Sequence, residues 1–365
     1  MFNFQPDEFI VEEITSQGAV LEVGLRQTLG KPEDAALEKN YFSRFIMEKR
    51  EWNTAQALGA LAAYLHAKPS RFDSAGAKDR NAVTVQLCSA FCIPPERLLS
   101  TRVKDVRVLG AWRAGEKVRL GDLQGNRFTI TLNTGNCGRE PDAAAIKARA
   151  EATGFVFKNY FGYQRFGSNR ENTALVGECV LRGNFKEACT NYLCFQGGER
   201  QEASEARARL ASEGDYAAAL AYYPRWLKYE RTLLEYLATQ PTDYAGALRR
   251  LPRSILLLFV HALQAKIFNE SLEAFEGAPN LEAEGNLVGY ESQPTELEAA
   301  ALEARGLTKE SFRLASMPEL SSRGNKRKLF TRLKGFEVRS TEPVVLRFSL
   351  DSGCYATTAL DFLLG

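Results

Sequence analysis

Hydrophobic residues follow two different periods in this chain, and the change from one to the other divides it. Apolar and polar positions alternate in short runs near the start and again near the end, while the stretch between carries apolar residues at helical spacing. Alternation places every second side chain on one face and predicts strands with one buried side, whereas spacings of three and four predict helices. Strands are expected at 9–14, 18–24, 40–48, 83–88, 103–109, 117–120, 125–132 and 344–350. A polar loop is expected at 27–38. Asn53 and Gln56 stand at capping-box spacing before a helix that runs to about His66, with Leu58, Leu61, Ala62 and Leu65 on one face and Lys68-Pro69 as its stop. Further helices are expected at 142–153, 184–194, 203–213, 217–221, 227–238, 244–250, 254–275, 295–305 and 354–364. A β-rich start and a β-rich tail separated by a helical block predict one domain interrupted by another. Residues 1–167 and 321–365 would form the first and 168–320 the second.

Composition narrows the class without naming a function. The 365 residues suffice for two packed domains, and 45% hydrophobic with 25% charged residues is ordinary for a globular chain. A formal net charge of +2 means that any site for a polyanion must be a local patch. Seven cysteines, an odd number, with no leader-like N-terminus predict a reduced, cytoplasmic protein. His66 and His261 are the two histidines, and neither they nor the cysteines have metal-ligand spacing. The longest apolar run, Ile255 to Val260, is too short for a bilayer, so no membrane association is expected. The acidic stretch 270–304 is expected to be solvated.

Candidate chemistry begins at Lys78-Asp79-Arg80, between the small-residue turn Ser74-Ala75-Gly76-Ala77 and the run that starts at Val83. Gly76 would permit a tight turn. Two flanking cations favour the ionised form of Asp79, and a carboxylate at the mouth of a strand can serve as nucleophile or base. The same triplet also reads as solvated surface charge. Asn126 shares a strand face with Phe128, either as a polar entry residue beside a core ring or as a hydrogen-bonding and stacking pair. Residues 154–167 interleave aromatic rings with Lys158 and Arg165, a pattern that fits both base stacking with phosphate contact and an aromatic core loop. The densest basic cluster is Arg323, Lys326, Arg327 and Lys328 with Arg332 and Lys334, at the expected seam between the two domains. It is either a solvated face or the wall of a groove.

Several stretches taken together resemble the TruD family of RNA pseudouridine synthases, nearer its archaeal and eukaryotic branch. They are Pro6-Asp7-Glu8-Phe9-Ile10-Val11-Glu12, Glu48-Lys49-Arg50-Glu51-Trp52-Asn53-Thr54, the run from Ala75 to Gln86, and the run from Arg119 to Phe128. Asn159-Tyr160-Phe161-Gly162-Tyr163-Gln164-Arg165-Phe166-Gly167, Ala262-Leu263-Gln264 with Phe268-Asn269, and Phe348-Ser349-Leu350 with Tyr355-Ala356-Thr357-Thr358 complete the series. The resemblance implies an α+β catalytic domain with a mixed, mainly antiparallel sheet, interrupted by a mostly helical insertion. It implies isomerisation of uridine to pseudouridine in tRNA, commonly at position 13 of the D arm, with no cofactor, metal or protein partner. Asp79 would be the nucleophile, Asn126 its neighbour and Phe128 the ring packed on the target uracil, with Lys78 and Arg80 flanking the aspartate. Asn159, Phe161, Gln164 and Arg165 would hold the substrate, and Lys326, Arg327 and Lys328 the RNA backbone. The target nucleotide would have to be flipped out of its stack. Two positions depart from the pattern: Asn3-Phe4-Gln5 stands where the family has a lysine, and Lys158 where it has a proline. A non-catalytic RNA-binding or tRNA-folding protein on the same scaffold is the alternative.

Overall fold

The computed structural model describes residues 2–31, 40–167 and 169–365, so residues 32–38 of the loop expected at 27–38 lie outside the described residues. The chain forms two compact units, Met1–Phe157 with Thr331–Gly365, and Lys158–Phe330. Its strands in chain order are β1 (Phe9–Thr15), β2 (Phe42–Arg50), β3 (Phe72–Ser74), β4 (Val83–Phe91), β5 (Val106–Ala114), β6 (Leu123–Leu132), β7 (Val156–Lys158), β8 (Glu284–Leu287), β9 (Asn325–Lys328), β10 (Phe330–Arg332), β11 (Lys334–Thr341) and β12 (Val344–Asp351).

The first unit is built on one sheet in the order β11-β12-β6-β1-β4-β2-β5, with β3 added to β4. Only β1 and β4 pair in parallel and the other pairs are antiparallel, as the α+β expectation has it. One face of this sheet carries two apolar clusters. Phe9, Phe128, Ile130, Leu346 and Phe348 pack with Ile146, Ala150, Leu360 and Leu363 of the helices Ala143–Ala152 and Ala356–Leu364. Phe45, Met47 and Cys88 pack with Leu58, Leu61 and Leu65, at and beyond the helix Thr54–Tyr64. Asn53 caps that helix, its side chain accepting from the Gln56 N–H.

Several local expectations change. Residues 18–24 form no strand beyond a single bridge of Val20 to Ile14. Two donors at its end go to carboxylates, Val23 N–H to Glu12 Oε1 and Gly24 N–H to Glu48 Oε2, while Leu21 N–H donates to Glu13 O. Residues 117–120 are also not a strand; Val118 is buried with its N–H on Ser89 Oγ, and Leu120 is exposed. Strand β4 is buried on both faces, Thr84, Gln86 and Ser89 included, where alternation implied one solvated side.

The second unit is mostly helical, with the antiparallel strand pair β8–β9. Its core gathers Val176, Leu193, Leu210, Leu233, Leu263 and Phe312. The helix Thr173–Leu181 was not expected, being almost uniformly apolar and so without a helical stripe. The helix Arg253–Glu273 is 21 residues long and passes on length and composition as a membrane span, which the unbroken run Ile255–Val260 did not suggest. Most of that window, 61%, is buried inside the unit. Residues 158–167 and 321–330, expected with the β-rich part, belong here. Asn159 N–H donates to Leu329 O, Asn159 Nδ2 to Lys328 O, and Tyr290 N–H to Ser322 O. In the acidic stretch, Glu298 is buried rather than solvated, accepting from the Asn286 and Thr295 N–H groups.

Arg207 is the largest buried side chain of this unit, 1% exposed, and donates to Glu199, Glu230 and the carbonyls of Tyr192 and Leu193. Arg207→Ala leaves Glu230 buried without that partner and is expected to destabilise the unit by roughly 3–5 kcal/mol. Urea unfolding followed by circular dichroism measures it.

Candidate active site

Strand register assembles a polar strip between the two apolar clusters. Glu13 of β1 lies opposite Asn126 of β6, and Lys49 of β2 lies opposite Thr84 of β4. Cross-strand partners project to the same face, so these side chains share the face that carries Phe128 and Met47. Continuing the β1–β4 pairing places Gln86 beside Glu13. Five polar residues thus stand in the middle of a sheet face that is otherwise apolar.

The β3–β4 hairpin closes over this strip, and its loop, residues 75–82, carries Asp79. Each part of the loop has an anchor. Ala75 O accepts from Gly121 N–H at 2.8 Å, and Gly76 O accepts from Gln86 Nε2 at 3.1 Å. Lys78 N–H donates to Thr54 Oγ1, which itself donates to Gln86 Oε1, both at 2.9 Å. Lys49 Nζ donates to Asp79 O at 2.7 Å and reaches Lys78 O at 3.5 Å. Gly76 has no left-handed backbone and open space at the place of a Cβ, so the turn does not depend on glycine as expected.

Charge is arranged asymmetrically around Asp79. The Lys78 ammonium turns inward, 3.0 Å from Glu13 Oε2 and donating to Asn126 Oδ1 at 2.6 Å. Glu13 is fully buried, and its Oε1 accepts from Leu87 N–H. Burial raises the Glu13 carboxyl above its ordinary value, against the pull of Lys78. Asp79, which bears the carboxylate, is itself an exposed residue. Protein crowded around that carboxylate nevertheless raises its pKa, and this outweighs the lowering by Lys49 and Lys78. The expectation that the flanking cations dominate is corrected in this respect. Arg80 is exposed and reaches Glu51 O at 3.4 Å.

Phe128 sits at the edge of the strip but inside the first cluster, 5% exposed, its ring 6.0 Å from that of Phe9 and 5.7 Å from that of Phe348. It is a core ring in this structure. In the second unit, Asn159 and Phe161 are also buried. The Arg327 guanidinium lies 4.0 Å from the Phe161 ring centre and donates to Asn159 O and Oδ1. Asn269 exchanges two hydrogen bonds with the Phe161 backbone. The motifs at 159–161 and 268–269 therefore form an internal knot with Arg327, and the aromatic-core reading of this segment holds for them. Arg165 lies 5.4 Å from the Phe161 ring, and Gln164 and Lys326 are exposed. Lys328 pairs with Glu282 and Glu284.

Lys49 and Glu13 were not singled out from sequence. Lys49 is 1% exposed, and burial lowers its ammonium to about 8, against the raising effect of Asp79. A signal was present: each is a charged residue on a run whose same-face neighbours are apolar, Met47 for Lys49 and Val11 for Glu13.

Comparison with known proteins adds the following. The family model described as tRNA pseudouridine synthase D (TruD) matches residues 2–292 and 278–361. The probable tRNA pseudouridine synthase D of Methanopyrus kandleri is 36% identical over 88% of this chain and 85% of its own. The probable tRNA pseudouridine synthase D 2 of Methanococcus maripaludis is 32% identical over 96% and 92%. A crystal structure from Methanosarcina mazei described under the same name superposes with a TM-score of 0.70 at 29% identity, covering 100% of this chain and 93% of that one.

Lys78→Met removes the ammonium 3.0 Å from the buried Glu13. A loss of roughly 3–5 kcal/mol is expected at neutral pH. Because the folded-state pKa of Glu13 is raised, the folded state binds the extra proton as pH falls, and the penalty should shrink between about pH 7 and pH 5. Denaturant titrations of both proteins at the two pH values check this.

Proposed function

The chain belongs to the tRNA pseudouridine synthase D (TruD) family, and from that premise we propose that Asp79 is the nucleophile with which it isomerises uridine to pseudouridine in tRNA. One observation carries the assignment of Asp79. Asp79 is an exposed residue, while the backbone that bears it is tied to the sheet through Lys49, Thr54 and Gln86. A reactive group that is reachable yet fixed is what an in-line attack requires.

The reaction needs no net exchange of atoms. The Asp79 carboxylate bonds to ribose C1′ as the N1–C1′ bond breaks and the uracil leaves with the electron pair. The base turns so that C5 faces C1′; C5 then bonds to C1′ and expels Asp79. The C5 proton passes to solvent and N1 takes one up. Asn126, which accepts from Lys78, is the aspartate's neighbour in this reading, and Phe128, a core ring between Phe9 and Phe348, backs the site from within the apolar cluster. The first compact unit is the catalytic domain and the second the insertion special to the family. Gln164, Arg165 and Lys326 are the second unit's contacts to RNA, with Asn159, Phe161, Arg327 and Lys328 supporting them. The target is uridine 13 of the D arm.

Tritium release from tRNA transcripts labelled at uridine C5 tests the reading. Wild type is expected to release label from a transcript with uridine 13 and not from one with cytidine there. Asp79→Ala should reduce release by at least about 1,000-fold while binding tRNA as wild type does. A wild type that binds the transcript but releases nothing would instead be a non-catalytic tRNA-binding protein.

A further inference from the structure

We infer that Lys49 is the positioning residue for Asp79. Its buried ammonium fixes the loop through the carbonyl oxygens of Asp79 and Lys78 and supplies the positive charge that favours the ionised aspartate. The inference rests on the reading of Asp79 as nucleophile and adds to it a residue and a pH limit.

Three observations lead to Lys49. The first is elimination among neighbouring cations. Lys78 is held by Glu13 and Asn126, and Arg80 is exposed and turned to Glu51 O. The second is the cost of the placement. An ammonium on an interior strand with no carboxylate within ion-pair distance, among the described residues, works against folding unless its donors are used. Its donors are used on the loop that bears Asp79. The third is what faces it: Asp79 and Lys78 from the loop and Cys88 from β4, with Glu13 of β1 facing Lys78 and Cys88 in turn. Glu48 and Arg50, its neighbours on β2, point to the other face and pair with Arg107 and Asp7. Of the groups acting on Lys49, Asp79 is the carboxylate.

Lys49 loses its proton near pH 8, whereas a lysine in the unfolded chain does so near 10.5. Turnover is therefore expected to fall as pH rises through about 8. Stability should move the other way. Between those two values the unfolded chain binds the extra proton, so this group makes the fold more stable with rising pH. Cys88, whose thiol is raised above 9.0, acts in the opposite sense only above that value. A fall in activity without a fall in stability between about pH 8 and pH 9 is what deprotonation of Lys49 predicts.

The test is single-turnover tritium release from the C5-labelled transcript, measured from pH 6 to pH 9.5 for wild type, Lys49→Arg and Lys49→Met, with melting curves at each pH. Wild type should show the limb near pH 8. Lys49→Arg, whose guanidinium keeps its proton, should lose that limb. Lys49→Met should turn over roughly 100-fold more slowly, with tRNA affinity within about threefold of wild type and a melting temperature no lower. A wild-type rate that stays level through pH 9 overturns the inference without any variant, and so does a Lys49→Met rate within threefold of wild type. Wild type inactive at every pH removes the synthase reading itself, and this inference with it.

Discussion

The buried ion pair between Glu13 and Lys78 is the interaction on which the site depends. A carboxylate and an ammonium shielded from water gain little net stability, because each loses more hydration than their attraction returns. Their value here is geometric. Lys78 can reach Glu13 and Asn126 only if the loop folds back over the sheet, and that fold-back turns the next residue, Asp79, outward. Adjacent residues of an extended loop point in opposite directions, so burying one charge presents the other. A hydrophobic residue at 78 could cover the strip as well, but Asn126 and Glu13 would then lack their donor.

This explains why a polar strip persists in the middle of an apolar face. The two clusters on either side, one around Phe128 and Phe348 and one around Phe45 and Met47, hold the strands in register. The register then determines which polar groups meet: Glu13 with Asn126, Lys49 with Thr84. A slip of one residue would send all of them to the far face. Apolar packing thus sets the position of the site's charges, and those charges hold the loop.

Much of the fold was legible because the strands and helices follow their periods. Strand β6, the Asn53 cap and most helices of the second unit stand where spacing put them. The failures share a physical cause. Residues 18–24 alternate well enough for a strand, but Glu12 and Glu48 take the N–H groups of Val23 and Gly24 at its end. Residues 159–161 look like a stacking loop because composition cannot distinguish an aromatic ring facing a base from one facing Arg327. Local sequence left Asp79 and Asn126 each with two readings, a solvated or strand-entry residue or part of a site, and the family resemblance is what singled them out. Lys49 carried a local signal, a charge on an apolar face, but what it meets depends on pairing with a strand whose register only the tertiary structure reveals.

The N-terminal departure from the family pattern takes on a definite meaning in this light. Where a lysine was expected, Phe4 stacks between Phe2 and Phe9, with ring centres 5.7 and 5.1 Å apart, and extends the first apolar cluster. That segment packs rather than charges. A cation on β2 has a different character from one on a terminal segment. Its backbone is hydrogen-bonded on both sides, to β4 and to β5, and its stem is buried, so the ammonium has little freedom to move away from the loop. Tighter placement brings desolvation, and desolvation brings the ammonium's pKa down to about 8. Precision in holding Asp79 and sensitivity to alkaline pH are therefore two results of the same burial, and a chain that holds its aspartate this way cannot have the first without the second.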